Sequence, residues 1–340
     1  MPARASSQGR CIGAGHHALP LRRVLLALLA WTATAAALTG CAGAPPEPDP
    51  RYRPAESVLE VIAVLRRHVP DDTYRFEAAQ DFTGRNVYRS SLLRLESMER
   101  LHARALMAAS MDGVVTFAKG RALERVRAFE LAAQAYEVAA ELDAELAVEA
   151  LHSADVCHEI SAALALAIGL DDLASTTGVS PDSETVLARF HARTRRLEEL
   201  ERLEIDSHYA FVVREEIERT DVARAHYFLA MRQILPDGDV RAAGELERVV
   251  TRNRSSKHAN HHVLELAQFY EDLAVEYVGA HPPESLAFDP IRFRELTDAT
   301  SRLYEVVAGQ DGKPEKLEAS RRLEAFLAFA LRVDRDRFTR

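Results

Sequence analysis

Histidines and a glutamate at helical spacing form the first candidate for a chemical site. His258 and His262 lie four residues apart and would share one face of an α-helix. Glu265 follows about one turn later, and His261 is adjacent. Two imidazoles and a carboxylate can bind zinc, but the glutamate that zinc metalloproteases carry directly after the first histidine is missing. A hydrated first helical turn explains the same residues, so the sequence leaves open whether His258 and His262 bind metal.

A dense run of charged side chains is the second candidate. Carboxylates that lie close together can act as general acid and general base when burial separates their pKa values. Neighbouring glutamates on a helix usually lie on its hydrated side, where arginines one turn away pair with them. We therefore predict an exposed, ion-paired helix face for this run, which comprises Glu215, Glu216, Glu218, Arg219, Asp221 and Arg224.

Cys157 is followed directly by His158, a pair that could supply a thiol nucleophile and its base. Consecutive residues point to different faces of a helix, however, and the surrounding apolar pattern predicts that Cys157 is a small core residue. The sequence also has no glycine-rich phosphate loop and no Gly-x-Ser-x-Gly nucleophile elbow. We assign no catalytic, cofactor-binding or metal-binding residue, and we expect the protein to need no metal, nucleotide or covalent cofactor.

The composition predicts that helices position these side chains. Glycine (15 residues) and proline (14) are sparse in a chain of 340 residues, whereas alanine, leucine, glutamate and arginine dominate, which favours an all-α fold. Beyond residue 40 the chain carries 39 basic and 52 acidic residues, a formal net charge of about −13. An anionic surface without a basic patch repels nucleic acid, so no nucleic-acid partner is expected.

The first 40 residues have the layout of an export signal. Arg22 and Arg23 precede an apolar run over residues 24–38, which leads into small residues and a cysteine. At about 1.5 Å per residue this run spans about 22 Å, too short for a hydrocarbon core of about 30 Å. The segment therefore favours a cleaved signal over a membrane-spanning helix.

The last residues of that segment, Leu38-Thr39-Gly40-Cys41, resemble the lipobox of bacterial lipoproteins. The resemblance implies that residues 1–40 are a signal peptide, that a diacylglycerol thioether forms on Cys41, and that the new amino end is usually acylated, for example by palmitate. It also implies a membrane partner through the lipid on Cys41. By the same resemblance, Ala42 at the following position implies the outer membrane of the cell envelope.

The remainder of the chain divides into two helical parts joined by a break. Residues 41–54 contain five prolines, which predict an extended tether. Helical patterns fill residues 55–168 and 181–340, while residues 169–180 are rich in Ser, Thr, Asp and Gly and predict a loop. Capping and stop signals predict about ten helices.

The ends of two predicted helical segments follow from proline, glycine and capping residues. Residues 114–142 contain no proline and only Gly120, so they form either one long helix or a hairpin that bends near Arg125. Ser180 followed by Pro181 predicts an N-cap and the first residue of the next helix.

A small–large–small spacing marks three candidate second helices of hairpins. The spacing resembles tetratricopeptide repeats, which implies paired antiparallel helices stacked into a solenoid. Steps of 110 and 57 residues between the leading alanines depart from the 34-residue period of that family. We predict an irregular tetratricopeptide-like array of antiparallel hairpins, with a compact helical bundle as the alternative. The three sets are Ala132, Tyr136 and Ala139; Ala242, Leu246 and Val249; and Ala299, Leu303 and Val306.

Three functional classes fit these observations. A non-catalytic scaffold that docks an envelope protein agrees best with surface anchoring, hairpin helices and the lack of a catalytic motif. A helical accessory subunit that binds a small molecule or lipid for an envelope transporter would need an apolar pocket. An envelope hydrolase would need a cleft with convergent carboxylates or histidines and perturbed pKa values.

Overall fold

The computed structural model describes residues 54–68, 72–167 and 182–337. Within these ranges the chain forms eleven helices and no strand, so the all-α prediction is confirmed. Residues 54–340 form one compact unit. The predicted signal peptide, Cys41, the tether up to residue 53 and the loop at residues 169–180 lie outside the described residues.

The helices follow one another with short connections. They are α1 (Pro54–His68), α2 (Val87–Ala108), α3 (Asp112–Arg125), α4 (Phe129–Leu142), α5 (Ala147–Ala165), α6 (Ser183–Leu203), α7 (Tyr209–Met231), α8 (Gly238–Arg252), α9 (Ala259–Ala280), α10 (Pro290–Ala308) and α11 (Glu315–Asp336).

Each helix packs mainly against the helices before and after it in the chain, with further contacts between α1 and α3 and between α9 and α11. The buried apolar side chains accordingly form a series of clusters along the chain, rather than one central core. Contacts between neighbours in sequence are typical of helical arrays, in which each unit buries its apolar face against the next. The observed architecture is therefore consistent with the predicted array of helices.

Residues 114–142 form a hairpin rather than one long helix. The helix α3 ends at Arg125 and α4 begins at Phe129, with Arg127 in the left-handed region between them (φ +66°). A Cβ atom on Gly120 would lie 2.6 Å from Cε1 of Tyr136, closer than any real contact. The two helices therefore approach so closely at this point that only glycine fits.

We expect Gly120→Ala to lower the free energy of unfolding by about 1–3 kcal/mol, because the added methyl group overpacks a buried contact against Tyr136. The matched control is Gly244→Ala in α8, where a Cβ atom meets nothing within 4 Å. That change should stabilise the protein by about 0.5–1 kcal/mol through helix propensity alone. Urea unfolding of both variants checks the prediction, and equal shifts of the same sign would contradict it.

The three candidate repeat sets differ in burial. Members of the first two sets are all buried, for example Tyr136 in α4 and Leu246 in α8. In α10, Val306 is instead exposed, and the residues one position after the predicted set, Thr300, Tyr304 and Val307, are buried. The predicted register of this helix is thus wrong by one residue, which corresponds to a rotation of about 100° around the helix axis.

Side-chain caps mark the starts of α6 and α10. The helix predicted from Pro181 begins at Ser183, because the side chain of Asp182 accepts a hydrogen bond from the backbone N–H of Glu184 (3.4 Å). Pro181 itself lies outside the described residues. At α10, Asp289 accepts from the backbone N–H of Ile291 (2.8 Å). Side-chain caps therefore fix both helix starts.

The connection between α1 and α2 reaches the middle of the array. Tyr74 is buried, and its hydroxyl donates to Oδ1 of Asn253 at the end of α8 (3.3 Å). Lys257, just before α9, donates through its backbone N–H to the carbonyl of Tyr74 (2.9 Å) and through Nζ to the carbonyl of Thr73 (2.6 Å). These contacts join residues about 180 positions apart in the sequence. The connection between α1 and α2 therefore packs against the connection between α8 and α9.

Candidate functional site

The charged run of α7 is largely buried, and the predicted exposed face is wrong for its most important members. Glu216, Glu218 and Asp221 are almost fully buried, whereas Arg219 is exposed. The reason is that α7 packs against both α6 and α8, so a helix at this position has little hydrated surface.

Most of the buried carboxylates of α7 have cationic partners. Glu216 accepts two hydrogen bonds from Arg127, at 2.6 Å from Nε and 2.8 Å from Nη2. Asp221 accepts one from Nη1 of Arg248 at 2.7 Å. Such charge-assisted pairs are among the strongest hydrogen bonds in proteins. They connect α7 to Arg127, between α3 and α4, and to Arg248 on α8.

Glu215, also on α7, pairs with the two cations Arg219 and Lys257. Its Oε1 accepts from Nη2 of Arg219 (2.7 Å) and from Nζ of Lys257 (3.3 Å). Burial favours the protonated acid, but the charges of Lys257 and Arg219 outweigh it and lower the pKa of Glu215. This carboxylate is therefore held in its ionised form.

Glu218 differs from these carboxylates, because within the described part of the chain it pairs with no lysine or arginine. Its Oε1 lies 2.6 Å from Nε2 of His262 and 2.5 Å from Oγ of Ser256. Its other oxygen, Oε2, and Nδ1 of His262 are both buried and have no hydrogen-bond partner. Buried polar atoms are rarely left in this state, so the pair has unused hydrogen-bonding capacity.

The histidine candidates do not meet as a metal site. The rings of His258 and His262 are 6.3 Å apart between centroids, and His262 is held by Glu218 on α7. Glu265, the expected third ligand, instead lies 2.6 Å from Nε2 of His226. Among the described residues, no group of three or more His, Cys, Asp or Glu side chains is arranged to hold a metal ion.

The residues around Glu218 and His262 line a cleft of about 570 Å³. Four histidines contribute to its walls, three of them from the start of α9: His258, His261 and His262. The fourth, His226, comes from α7. A carboxylate-rich and histidine-rich cleft is an ordinary setting for ligand binding or acid–base chemistry.

Two cleft histidines have shifted pKa values of opposite direction. The hydrogen bond that His226 donates to Glu265 raises the pKa of His226, against the opposing effect of burial. Burial lowers the pKa of His258, although the nearby charge of Glu218 opposes this effect. The two rings therefore differ in proton affinity although both line the same cleft.

A second buried cluster, around Glu124 of α3, was not identified from the sequence. Glu124 accepts hydrogen bonds from the hydroxyls of Tyr136 (2.7 Å) and Tyr209 (2.9 Å), and its Oε1 lies 2.9 Å from Nε2 of His208. Nη1 of Arg121 lies 3.4 Å from its Oε2. The local sequence offers only an arginine three residues before the glutamate, which is a common surface spacing, so no signal distinguished this group.

Cys157 lies beside this cluster. The residue is fully buried, as predicted, and burial together with the charge of Glu124 raises the pKa of its thiol. A thiol that stays protonated is a poor nucleophile. His158 points elsewhere and pairs through Nε2 with Glu137 (3.0 Å), so the two residues do not form a catalytic pair.

Comparison with known proteins does not place the chain in a family. No family model, curated protein or solved structure matches it. None of the described helices is long and apolar enough to cross a membrane. The function is therefore inferred from the geometry of this chain.

Exposed apolar side chains occur along the whole described part of the chain, and two adjacent helices, α4 and α5, carry five of them. On α4, Leu131, Val138 and Leu142 recur at a spacing of seven and four residues, which places them on one helix face. On α5, which packs against α4, Val148 and Leu151 are also exposed. We call these five residues the apolar face; their exposed fractions lie between 46% and 83%. Clustered apolar exposure of this kind is typical of protein-interaction surfaces.

Proposed function

We propose that this protein is a lipid-anchored lipoprotein of the cell envelope that acts as a non-catalytic scaffold for another envelope protein. The observation that carries the proposal is the apolar face of α4 and α5, where five large aliphatic side chains are in contact with solvent. Burying them against a partner would be favourable by roughly 25 cal/mol for each Å² removed from water.

The anchor and tether limit where that partner can be. The lipobox-like sequence supports acyl chains on Cys41, and Ala42 supports the outer membrane. The thirteen residues 41–53 span at most about 47 Å when fully extended. The helical body would thus operate close to the membrane surface, and its partner would be a protein in or near the same membrane.

The helical body suits this role. Contacts between successive helices and the close approach of Gly120 to Tyr136 support a tetratricopeptide-like arrangement of hairpins. Arrays of this kind present extended faces to partners without a dedicated active site.

Site-specific photo-crosslinking in intact cells tests the scaffold proposal. A photoreactive residue at Leu131 should give one reproducible adduct with an envelope protein, and the same residue at Leu317 of α11, which is also exposed, should not. Val138→Glu should abolish the adduct, because a charge on the apolar face would have to be desolvated on docking. Absence of any adduct at Leu131, or equal adducts at both positions, would refute the proposal.

A hydrolase is a second candidate function, because Glu218 and His262 are arranged as a carboxylate and the imidazole that it orients. In such a pair the free ring nitrogen can accept a proton from water. Hydrolysis of chromogenic esters, amides or glycosides that is lost in His262→Asn would support this candidate, and identical background rates in the two proteins would count against it.

A further inference from the structure

We propose that the cleft between α7 and α9 is a binding site for an aliphatic ammonium or guanidinium group, with Glu218 as its anionic partner. The proposal goes beyond the scaffold role and does not use the apolar face. It follows from the unsatisfied atoms of Glu218 and His262, from the charges around them and from the apolar part of the cleft wall.

The carboxylate of Glu218 is incompletely satisfied. Glu218 is almost fully buried, and among the described residues His262 is the only basic side chain that contacts it. Ser256 Oγ and His262 Nε2 both lie at Oε1, which leaves Oε2 without a donor. A buried carboxylate oxygen without a donor loses its hydration and gains no hydrogen bond in exchange. A cationic N–H donor entering the cleft would supply both a hydrogen bond and a compensating charge.

The imidazole of His262 can also accept a hydrogen bond from an ammonium or guanidinium group. A carboxylate can only accept, so His262 donates through Nε2 to Glu218. In the neutral ring this leaves Nδ1 as an acceptor, and Nδ1 has no partner. Each of the two side chains thus keeps one unsatisfied acceptor, and N–H donors of an ammonium group, which has three, or of a guanidinium group, which has five, can bind such acceptors.

The other charges of the cleft favour a cation over an anion. Arg127 and Arg219 contribute to the walls, but Arg127 is bound through two nitrogens to Glu216, and Arg219 is bound to Glu215. An anionic ligand would have to compete with these carboxylates. A cation can pair with Glu218 without breaking the ion pairs of Arg127 and Arg219. Glu315 adds a further negative charge to the wall of the cleft.

The cleft can also hold the stem of such a ligand. Val222 and Ala223 line it beside the charged groups, one helical turn beyond Glu218 on α7. Lysine-like groups bury their aliphatic stem on apolar surface while the charged end is paired. The chemistry is shared by free polyamines and by a lysine or arginine side chain of a partner protein, and the experiment separates these sources.

Titration of the full-length chain in a nonionic detergent tests the proposal. The probes are spermidine, as a free polyamine, and Nα-acetyl-lysine amide, as a protein side chain, with Nα-acetyl-norleucine amide as the uncharged control. The ring nitrogens of His262, followed by NMR, should shift with the two amines and not with the control. His158 on α5 does not line the cleft and should not respond. Tighter binding of spermidine assigns a free polyamine, and tighter binding of the lysine derivative assigns a protein side chain.

Two variants define the role of Glu218. Glu218→Gln keeps the shape of the side chain but removes its charge, and it should weaken amine binding at least tenfold. Glu315→Gln, which removes a charge from the cleft wall, should weaken binding less than threefold. Equal shifts at His262 and His158, or equal response to the amines and the uncharged control, would overturn the proposal in the unmodified protein, whatever the stability of the variants. Crosslinking at Leu131 is unaffected by this result, so the two proposals fail separately.

Discussion

Replacing Glu124 by glutamine is expected to lower the free energy of unfolding by about 3–5 kcal/mol. The carboxylate is completely buried, and the side chains of Arg121 and Arg125, which lie beside it, are nearly so. Glutamine has almost the same shape, but it removes the buried negative charge beside these cations at a place where water cannot replace it. The hydroxyls of Tyr136 and Tyr209 would also lose a charged acceptor.

The matched control is Glu149→Gln, which removes another partner of the same arginine. Oε1 of Glu149 lies 2.8 Å from Nη2 of Arg121, but this side chain is 57% exposed. Exposed ion pairs contribute little, so the change should cost less than about 1 kcal/mol. Urea unfolding of the two variants against the parent protein measures both values. Equal losses would show that the Glu124 cluster has no special role in stability.

Glu124 should also affect how the free energy of unfolding changes at acidic pH. Burial by itself would raise the pKa of Glu124, but Arg121 and His208 outweigh it and hold the pKa well below the ordinary value of 4.5. A carboxyl whose pKa is depressed on folding stabilises the protein above its unfolded pKa, and this contribution is lost as the pH falls through the lower folded value. Below about pH 4.5 the parent protein should therefore lose stability more steeply than Glu124→Gln.

Substitution of Cys41 by serine is expected to reduce incorporation of an alkyne-tagged fatty acid to background. The diacylglycerol thioether implied by the lipobox-like sequence requires a sulfur atom, which serine lacks. Two or three acyl chains give lasting membrane attachment, whereas a single chain binds only marginally, so the effect on anchoring should be close to complete. Mass spectrometry should find an acylated amino-terminal cysteine in the parent protein and residues 1–40 retained in the variant.

Cys11→Ser is the matched control for this experiment. Cys11 lies in the predicted signal peptide, so its replacement should leave labelling and the mature amino end unchanged. An unmodified start at Met1 in membrane fractions of the parent protein would contradict the lipoprotein assignment. Loss of label in both variants would point to a general export defect rather than to chemistry at Cys41.

The helical class of the protein could be read from its sequence because helix signals are local. Sparse glycine and proline, apolar stripes and caps such as Asp289 depend on residues within a few positions, and the structure confirms the class they predict. About ten helices are predicted, with residues 114–142 as one helix or a hairpin, and eleven are found in the described residues. The break between α3 and α4 has Arg127 in the left-handed conformation. No proline or glycine marks that break.

Burial of charge could not be read in the same way. Glu124 and Glu218 stand in charged segments that look like ordinary hydrated helix faces, and only the packing of other helices over them removes water. Their partners, His208 and His262, are 84 and 44 residues away along the chain. Local spacing determined which side chains share a helix face; tertiary packing alone decided which of those faces lost its water, and therefore which carboxylates are buried and in need of a partner.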